Sequence, residues 1–292
     1  MEVQAIYEGY DETDLEQQYN LRPRHPERDL VYARYAAASS ELRAEANGRY
    51  DVRYGTAERQ VMDILSAGAG APVLVFFHGG YWRALDKSIF SCIAAPYLRA
   101  GWTVALPNYT LAPAAPIDEI VEEARQAVAW VANELLPDGG PLVLSGHSAG
   151  AQLAVMAMLA DWRARGFARS PIMGGIPVSG LFDLEPICHT SINNLVRLQP
   201  ADAIRNSPAH LAVPGAGPLL LMVGSGETEE FHGQTERFAE IWRASGNSTQ
   251  TVIADGHTHF SILGAFGEAN DPLCARVLEF LMDCTDDRVR HG

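Results

Sequence analysis

Positive charge is scarce in this chain. Lys and Arg number 22 against 36 Asp and Glu, a net charge of −14, which argues against nucleic acid or an anionic membrane surface as a partner. Cysteine is nearly as sparse. Cys92, Cys188, Cys274 and Cys284 are scattered without a C-x-x-C pair, so reduced, mostly buried thiols are expected instead of a disulfide framework. No apolar segment reaches the ~18 to 20 residues of a membrane helix. Met1-Glu2-Val3-Gln4-Ala5 lacks the basic and apolar regions of a signal peptide. The expectation is therefore a soluble, cytoplasmic protein. At 292 residues with 47% hydrophobic content, the chain can bury a large core as one domain.

The alternation of elements sets the fold class. Val73–Phe77, Trp102–Leu106, Leu142–Leu144, Ile172–Ser179, Leu219–Val223 and Thr249–Ile253 read as strands, several of them apolar throughout as in a parallel sheet covered on both faces. Tyr50–Tyr54 and Gln60–Leu65 alternate like half-buried strands joined by a turn. Helices are expected at Lys87–Arg99, Ile117–Leu136, Phe231–Ser245 and Pro272–Asp283, with Glu122, Glu123 and Arg125 on the wet side of the second. This βα alternation predicts an α/β fold: a mainly parallel, doubly wound sheet with helices on both faces, in one domain spanning 1–292. Residues 1–49 form a helical arm, with Pro26-Glu27-Arg28-Asp29 opening a helix over Leu30–Ala46 and Asn47-Gly48 closing it. The arm either packs on the core or covers the site. The irregular stretch of about 181–208 is expected as a lid or cap insertion.

The chemistry centres on Gly146-His147-Ser148-Ala149-Gly150, between the apolar Leu142–Leu144 and an Ala/Met/Leu-rich helical stretch. That order is the context of a nucleophile elbow, a tight strand-to-helix turn that exposes the Ser148 hydroxyl. A serine needs a base, and the base an orienting carboxylate, in the chain order Ser, acid, His. Of the downstream histidines, His257 and His259 fall in a loop after the last strand, and His259, followed by the apolar anchor Phe260-Ser261-Ile262-Leu263, is favoured as base. Glu227, the first carboxylate after Leu219–Val223, is favoured as acid over Glu229 and Glu230, with Asp255 and Asp183 also in play. His78-Gly79-Gly80-Tyr81 after a strand supplies backbone N–H groups for an oxyanion, so Gly80, Tyr81 and Ala149 are assigned to the hole. Tyr81 and Trp82 are placed beside an aryl pocket or in the core. His78 and His147 are expected to be structural hydrogen-bonders. The His257-Thr258-His259 spacing could hold zinc through two imidazoles, but the residues that follow add no ligand, so neither metal nor cofactor is expected.

With these residues goes a wider set: His78-Gly79-Gly80-Tyr81-Trp82, Val178-Ser179-Gly180-Leu181-Phe182-Asp183-Leu184-Glu185-Pro186-Ile187, Ala160-Asp161-Trp162, Arg205-Asn206-Ser207-Pro208, Val223-Gly224 leading to Glu227, and His259-Phe260. On these motifs, which span most of residues 73–263, the sequence resembles the serine-dependent kynurenine formamidases (arylformamidases) of the α/β-hydrolase superfamily. The resemblance implies a hydrolase that removes an acyl group, typically formyl, from an arylamine, with Ser148, His259 and Glu227 as nucleophile, base and acid. Where animal members have Asp at the acid position, this chain has Glu227. The expected partner is a small aryl amide or ester. Rival expectations are a carboxylesterase, a larger-acyl arylamidase acting on an N-acylanthranilate-like compound, and a non-catalytic binding module on the same fold. Whether two copies pair as a homodimer is left open by the sequence.

Overall fold

A computed structural model of the chain describes residues 5–291, with side-chain environments through 286. Its strands are β1 (Gly48–Arg53), β2 (Val61–Leu65), β3 (Val73–Phe77), β4 (Thr103–Pro107), β5 (Leu142–His147), β6 (Gly174–Val178), β7 (Leu219–Gly224) and β8 (Thr249–Ala254). They form one sheet in the order β1-β2-β4-β3-β5-β6-β7-β8, parallel from β4 to β8, with β1 and β2 antiparallel at one end. The helices are α1 (Glu12–Tyr19), α2 (Arg28–Glu45), α3 (Ala95–Arg99), α4 (Ile117–Glu134), α5 (Ala149–Met158), α6 (Asn193–Val196), α7 (Pro200–Asn206), α8 (Glu229–Ala244), α9 (Ile262–Phe266) and α10 (Pro272–His291). Among the described residues no helix is long and apolar enough to cross a membrane.

The uniformly apolar strands serve two cores at once, because successive side chains on a strand point to opposite faces. Val73, Val75 and Phe77 of β3 enter the core that also holds α4, α5 and α8, whereas Leu74 and Phe76 enter the one beneath α3, α9 and α10. Leu219, Leu221 and Val223 of β7 divide from Leu220 and Met222 in the same way. This is the α/β-hydrolase fold, as the element pattern predicts.

Several local expectations are corrected. Lys87–Arg99 is a 3₁₀ segment over Lys87–Ala94 followed by the short α3, with Pro96 in the first turn of α3, where its missing N–H is tolerated. Glu123 is buried, not wet: its carboxylate accepts the Thr110 N–H (2.6 Å) and hydroxyl (2.7 Å) and fixes the loop after β4. Strand β2 is almost wholly covered and carries Asp63, fully buried between the Arg43 guanidinium and Lys87 Nζ (2.9 Å). That pairing ties α2 to the sheet, since a buried carboxylate without its cations would be strongly destabilising. The arm helix α2 ends at an extended Ala46, and Gly48 already belongs to β1.

Residues 181–208 hold a 3₁₀ turn (Glu185–His189), α6 and α7. They are moored at two points: Asp118 of α4 accepts Arg205 (2.7 Å) and Asn206 (2.8 Å), and Glu16 of α1 accepts the N–H (2.8 Å) and hydroxyl (2.5 Å) of Ser191.

Candidate active site

The register of the central strands aligns the loops that matter. Phe77 of β3 lies opposite Gly146 of β5, so His78-Gly79-Gly80-Tyr81 emerges beside His147-Ser148. His147 in turn lies opposite Val178, whose carbonyl accepts the Ser148 N–H (2.9 Å). The chain leaves β3 towards β4 on one side and returns to β5 on the other, which makes the β3/β5 boundary a switch point. Open α/β sheets bind ligands beyond the carboxyl ends of their strands at such a point.

Ser148 has φ 56° and ψ −120°, a backbone conformation that costs a side-chain-bearing residue roughly 1 to 3 kcal/mol. The elbow holds it there by close packing. A Cβ on Gly146 would stand 2.2 Å from the Gly150 carbonyl oxygen, and one on Gly150 would stand 2.1 Å from that of Phe77. Helix α5 therefore starts directly against the end of β3. Ala149, its first residue, presents its N–H at the helix's positive end. Across the gap, Gly80 has φ +108°, and a Cβ there would fall 2.4 Å from the Ala84 carbonyl oxygen. Tyr81 and Trp82 follow, also at positive φ. Among the described residues, no backbone hydrogen bond engages the N–H of Gly80 or Tyr81.

The loop after β8 brings His259 to the same place. Its Nδ1 lies 2.7 Å from Glu227 Oε2, and both side chains are nearly sealed from solvent. Glu227 Oε1 accepts the Ser179 hydroxyl (2.6 Å) and the Gly224 N–H (2.8 Å), so three donors fix the carboxylate. Ser179, at the end of β6 with φ 51°, has no role in the sequence reading beyond its place in a motif. Its relevant signal is positional, the first residue after a strand neighbouring the elbow strand. His147 Nε2–H donates to the His259 carbonyl (2.8 Å), and the His147 and Phe231 rings each pack 4.5 Å from the His259 ring. Burial, then the neighbouring His259, pushes the His147 pKa well below the usual histidine range. His78 is stacked on Tyr109 (4.5 Å), hydrogen-bonded to the Gly79 carbonyl (2.8 Å) and driven by burial down to about 4.

The competing residues lie elsewhere. His257 points towards Asp271 (3.9 Å), Asp255 faces Ser225 (3.5 Å), and Asp183 faces Tyr7 (3.5 Å) and His210 (3.7 Å). Glu229 meets Tyr10 and Glu230 meets Tyr19. Trp82 is fully buried, with its indole N–H donated to Gln152 (3.0 Å), and it belongs to the core.

Ser148, His259, Gly80 and Tyr81 line one cavity of about 100 Å³. Its remaining wall comes largely from the arm, through Arg22, Arg28 and Tyr32, with Phe260 beside them and Ile192 from the 181–208 segment. The arm thus covers the site. It is also tied to the site's own parts. The Tyr81 hydroxyl donates to the Tyr19 carbonyl (2.7 Å), the Tyr19 hydroxyl to Glu230 (2.8 Å), the Thr228 hydroxyl to the Gln18 carbonyl (2.9 Å), and the Tyr35 hydroxyl to the Phe260 carbonyl (2.8 Å).

Comparison with known proteins agrees with this fold. Residues 74–263 match the model of the family described as alpha/beta hydrolase fold. The chain is 31% identical to kynurenine formamidase of Danio rerio over 283 residues, 92% of this chain and 96% of that one. It is 30% identical to kynurenine formamidase of Salmo salar, over 77% and 79% of the two chains. A crystal structure from Silicibacter sp. TM1040, of a protein provisionally described as a thioesterase, superposes with a TM-score of 0.81 at 31% identity, covering 90% of this chain and 98% of that one. On this evidence the chain belongs to the kynurenine formamidase family of the α/β-hydrolase superfamily, and it is a hydrolase.

Proposed function

We propose that the protein is a serine hydrolase that removes a formyl or other small acyl group from an arylamine of the N-formylkynurenine kind, through an acyl-enzyme intermediate. The observation that carries this reading is the convergence on one cavity of an elbow serine, unengaged backbone N–H groups and a histidine whose Nδ1 is held by a triply bonded carboxylate. The identity to two proteins called kynurenine formamidase supports the choice of substrate.

Glu227 accepts a hydrogen bond from the Nδ1–H of His259, which leaves Nε2 as the base for the Ser148 proton. Ser148 Oγ attacks the acyl carbonyl, and the negative charge that develops on its oxygen meets the N–H groups of Gly80, Tyr81 and Ala149. Each such donor contributes about 3 kcal/mol to the barrier reduction. The protonated His259 then gives its proton to the arylamine nitrogen as the C–N bond breaks, because an amide anion is too poor a leaving group to depart unprotonated. Water loses a proton to His259 and attacks the acyl-serine; formate leaves and Ser148 regains its proton. The cavity is small beside the ~300 to 1,000 Å³ of most ligand pockets, which suits a small acyl group.

The test is initial-rate hydrolysis of N-formyl-L-kynurenine beside p-nitrophenyl acetate and butyrate, with Ser148→Ala as the blank. The expected result is formamide turnover that exceeds ester turnover in kcat/KM and falls by about 10⁴ to 10⁶-fold in the variant. Turnover of the esters alone would keep the triad and replace the substrate with an ester or a larger acyl arylamide.

A further inference from the structure

The mouth of the cavity carries charge of the opposite sign to the chain. The protein has a net charge of −14, yet the residues around the Ser148 cavity include Arg22, Arg28 and Arg83 and neither aspartate nor glutamate. Two of these arginines come from the arm and the third from the turn that follows Gly80. Arg28 is paired with Asp29 (2.9 Å). Arg83 lays one nitrogen against the Ile192 carbonyl (3.3 Å), which leaves most of its five donors unused. Arg22 and Arg83 line the same cavity, and the Arg22 charge adds to burial in lowering the Arg83 pKa against the smaller opposing effects of Tyr81 and Glu16. Two guanidinium groups at one cavity mouth with no carboxylate among the lining residues repel each other; Glu16, outside the lining and already bonded to Asn20 and Ser191, offsets this only in part, and an anion bound between them would relieve the rest. Beside them stand Tyr32 and Phe260, edge to face at 5.8 Å, an apolar wall against which an aromatic ring can lie.

We propose that Arg22 and Arg83 form the subsite that holds the substrate's carboxylate, away from the scissile bond, and so set the preference among aryl amides. The subsite rests on the deacylase reading above and specifies the aryl half of the substrate. A guanidinium fork matches a carboxylate with two parallel hydrogen bonds, whereas a neutral aryl amide offers it nothing charged. Two compounds bear this chemistry. N-formylanthranilate has its carboxylate on the ring, and N-formyl-L-kynurenine has it on a side chain together with an ammonium group. No acidic residue lines the cavity to meet that ammonium, and the nearby Glu16 is already bonded to Asn20 and Ser191.

The experiment compares kcat/KM for N-formylanthranilate, formanilide, N-formyl-L-kynurenine and its decarboxylated analogue N-formylkynuramine, in the wild type and in Arg83→Gln and Arg22→Gln. At least one carboxylate-bearing substrate should exceed its counterpart without a carboxylate by about tenfold to a hundredfold, the usual worth of a charge-assisted contact. The advantage should shrink by about tenfold in either variant, mainly through KM, and narrow as salt is raised. A preference for the ring acid places the subsite next to the ring; a preference for the side-chain acid places it one side chain further out. Ratios near one in the wild type, or ratios unchanged in both variants, would overturn the subsite. Arg22 lies on the exposed part of the arm, so Arg22→Gln decides the matter if Arg83→Gln fails to fold. If all four amides are inert, the deacylase reading fails instead. Calorimetric binding of anthranilate to the wild type and to Arg22→Gln would then judge the subsite alone: weaker binding in the variant keeps it, equal or absent binding removes it.

Discussion

The elbow and the N-terminal arm meet at one cavity, but they are held there by different forces. Ser148 is positioned by backbone: β5 pairs on both sides, its own N–H is donated to Val178, and two glycines let α5 abut β3. The arm is positioned by side chains that reach other elements, such as Tyr19 to Glu230 and Tyr35 to the Phe260 carbonyl, more than two hundred positions on, and Arg43 to Asp63 of β2. A backbone constraint is local and tolerates almost no change. A set of side-chain hydrogen bonds is distributed, each worth about 1 kcal/mol net, and can lose a member. Under the proposed mechanism, chemistry that depends on fractions of an ångström falls to the first region, and enclosure and recognition to the second.

The comparison predicts its largest contrast at Gly150. A methyl group there would meet the Phe77 and His78 carbonyl oxygens at 2.1 and 2.5 Å, and both belong to backbone. Gly150→Ala should cost at least about 3 kcal/mol, because neither strand nor helix can yield without moving the other. It should also lower kcat more than about a hundredfold, as Ser148 and the Ala149 N–H shift together. Thermal melting and steady-state kinetics measure both effects. A variant with wild-type melting and turnover would show that the elbow is not backbone-locked.

Acid should act next on the surroundings of the elbow. His78, beside the elbow, is held by burial at a pKa of about 4 against 6.5 when exposed. The unfolded chain takes a proton there as pH falls below about 6.5, while the folded chain refuses it until about 4. Stability is therefore complete above 6.5 and is lost as pH drops through that window. From this one group the loss is roughly 3 kcal/mol, and His147 adds in the same direction. The carboxylate of Asp86, lowered to about 2 by hydrogen bonds from the Ser88 N–H and Asn108 against the opposing effect of burial, acts only below its unfolded value of 3.8. The two contributions thus fall in separate pH ranges. Denaturant midpoints at pH 7.5, 5.5 and 4.5 should decline steadily; a flat profile over that range contradicts the assignment.

The same division explains what could be read from the sequence. The strand-turn-helix at Ser148, the Gly79-Gly80 turn beside it and the pairing of Glu227 with His259 were legible because each is encoded within a few residues or by chain order, as in Gly146-His147-Ser148-Ala149-Gly150 and in Glu227 as the first carboxylate beyond β7. The fold was legible because strands such as Val73–Phe77 are apolar on both faces. Ser179 was not, since a serine after a strand gains meaning only when the sheet order sets it beside Glu227. Nor were Arg22 and Tyr32, because the docking of residues 1–49 depends on long-range pairs with no local period. Glu123 misled for a related reason. Helical spacing puts it among wet neighbours, and only the Thr110 loop makes it a buried acceptor.

The smallest predicted effect bears most directly on the comparison, because it asks whether the arm only encloses the cavity or also sets the geometry of the chemistry. Tyr81 supplies a proposed oxyanion donor through its N–H, and its hydroxyl is anchored on the Tyr19 carbonyl at 2.7 Å. Tyr81→Phe removes that tether and nothing else of size, so stability should fall by about 1 kcal/mol. If the arm sets the geometry, the Tyr81 N–H drifts and kcat falls by about three- to tenfold with KM little changed, the pattern of an interaction made in the transition state. If the arm only encloses, KM rises and kcat holds. Tyr10→Phe is the control. It deletes a weaker, exposed bond from the same arm to Glu229 (3.4 Å) and should move stability by less than about 0.5 kcal/mol. We expect the kcat pattern, because Tyr19 joins Tyr81 to Glu230 and the Gln18 carbonyl anchors Thr228, the residue after Glu227. A single turn of arm helix thus touches both Tyr81 of the Gly80 loop and Thr228, the neighbour of Glu227, and it cannot loosen at one without loosening at the other.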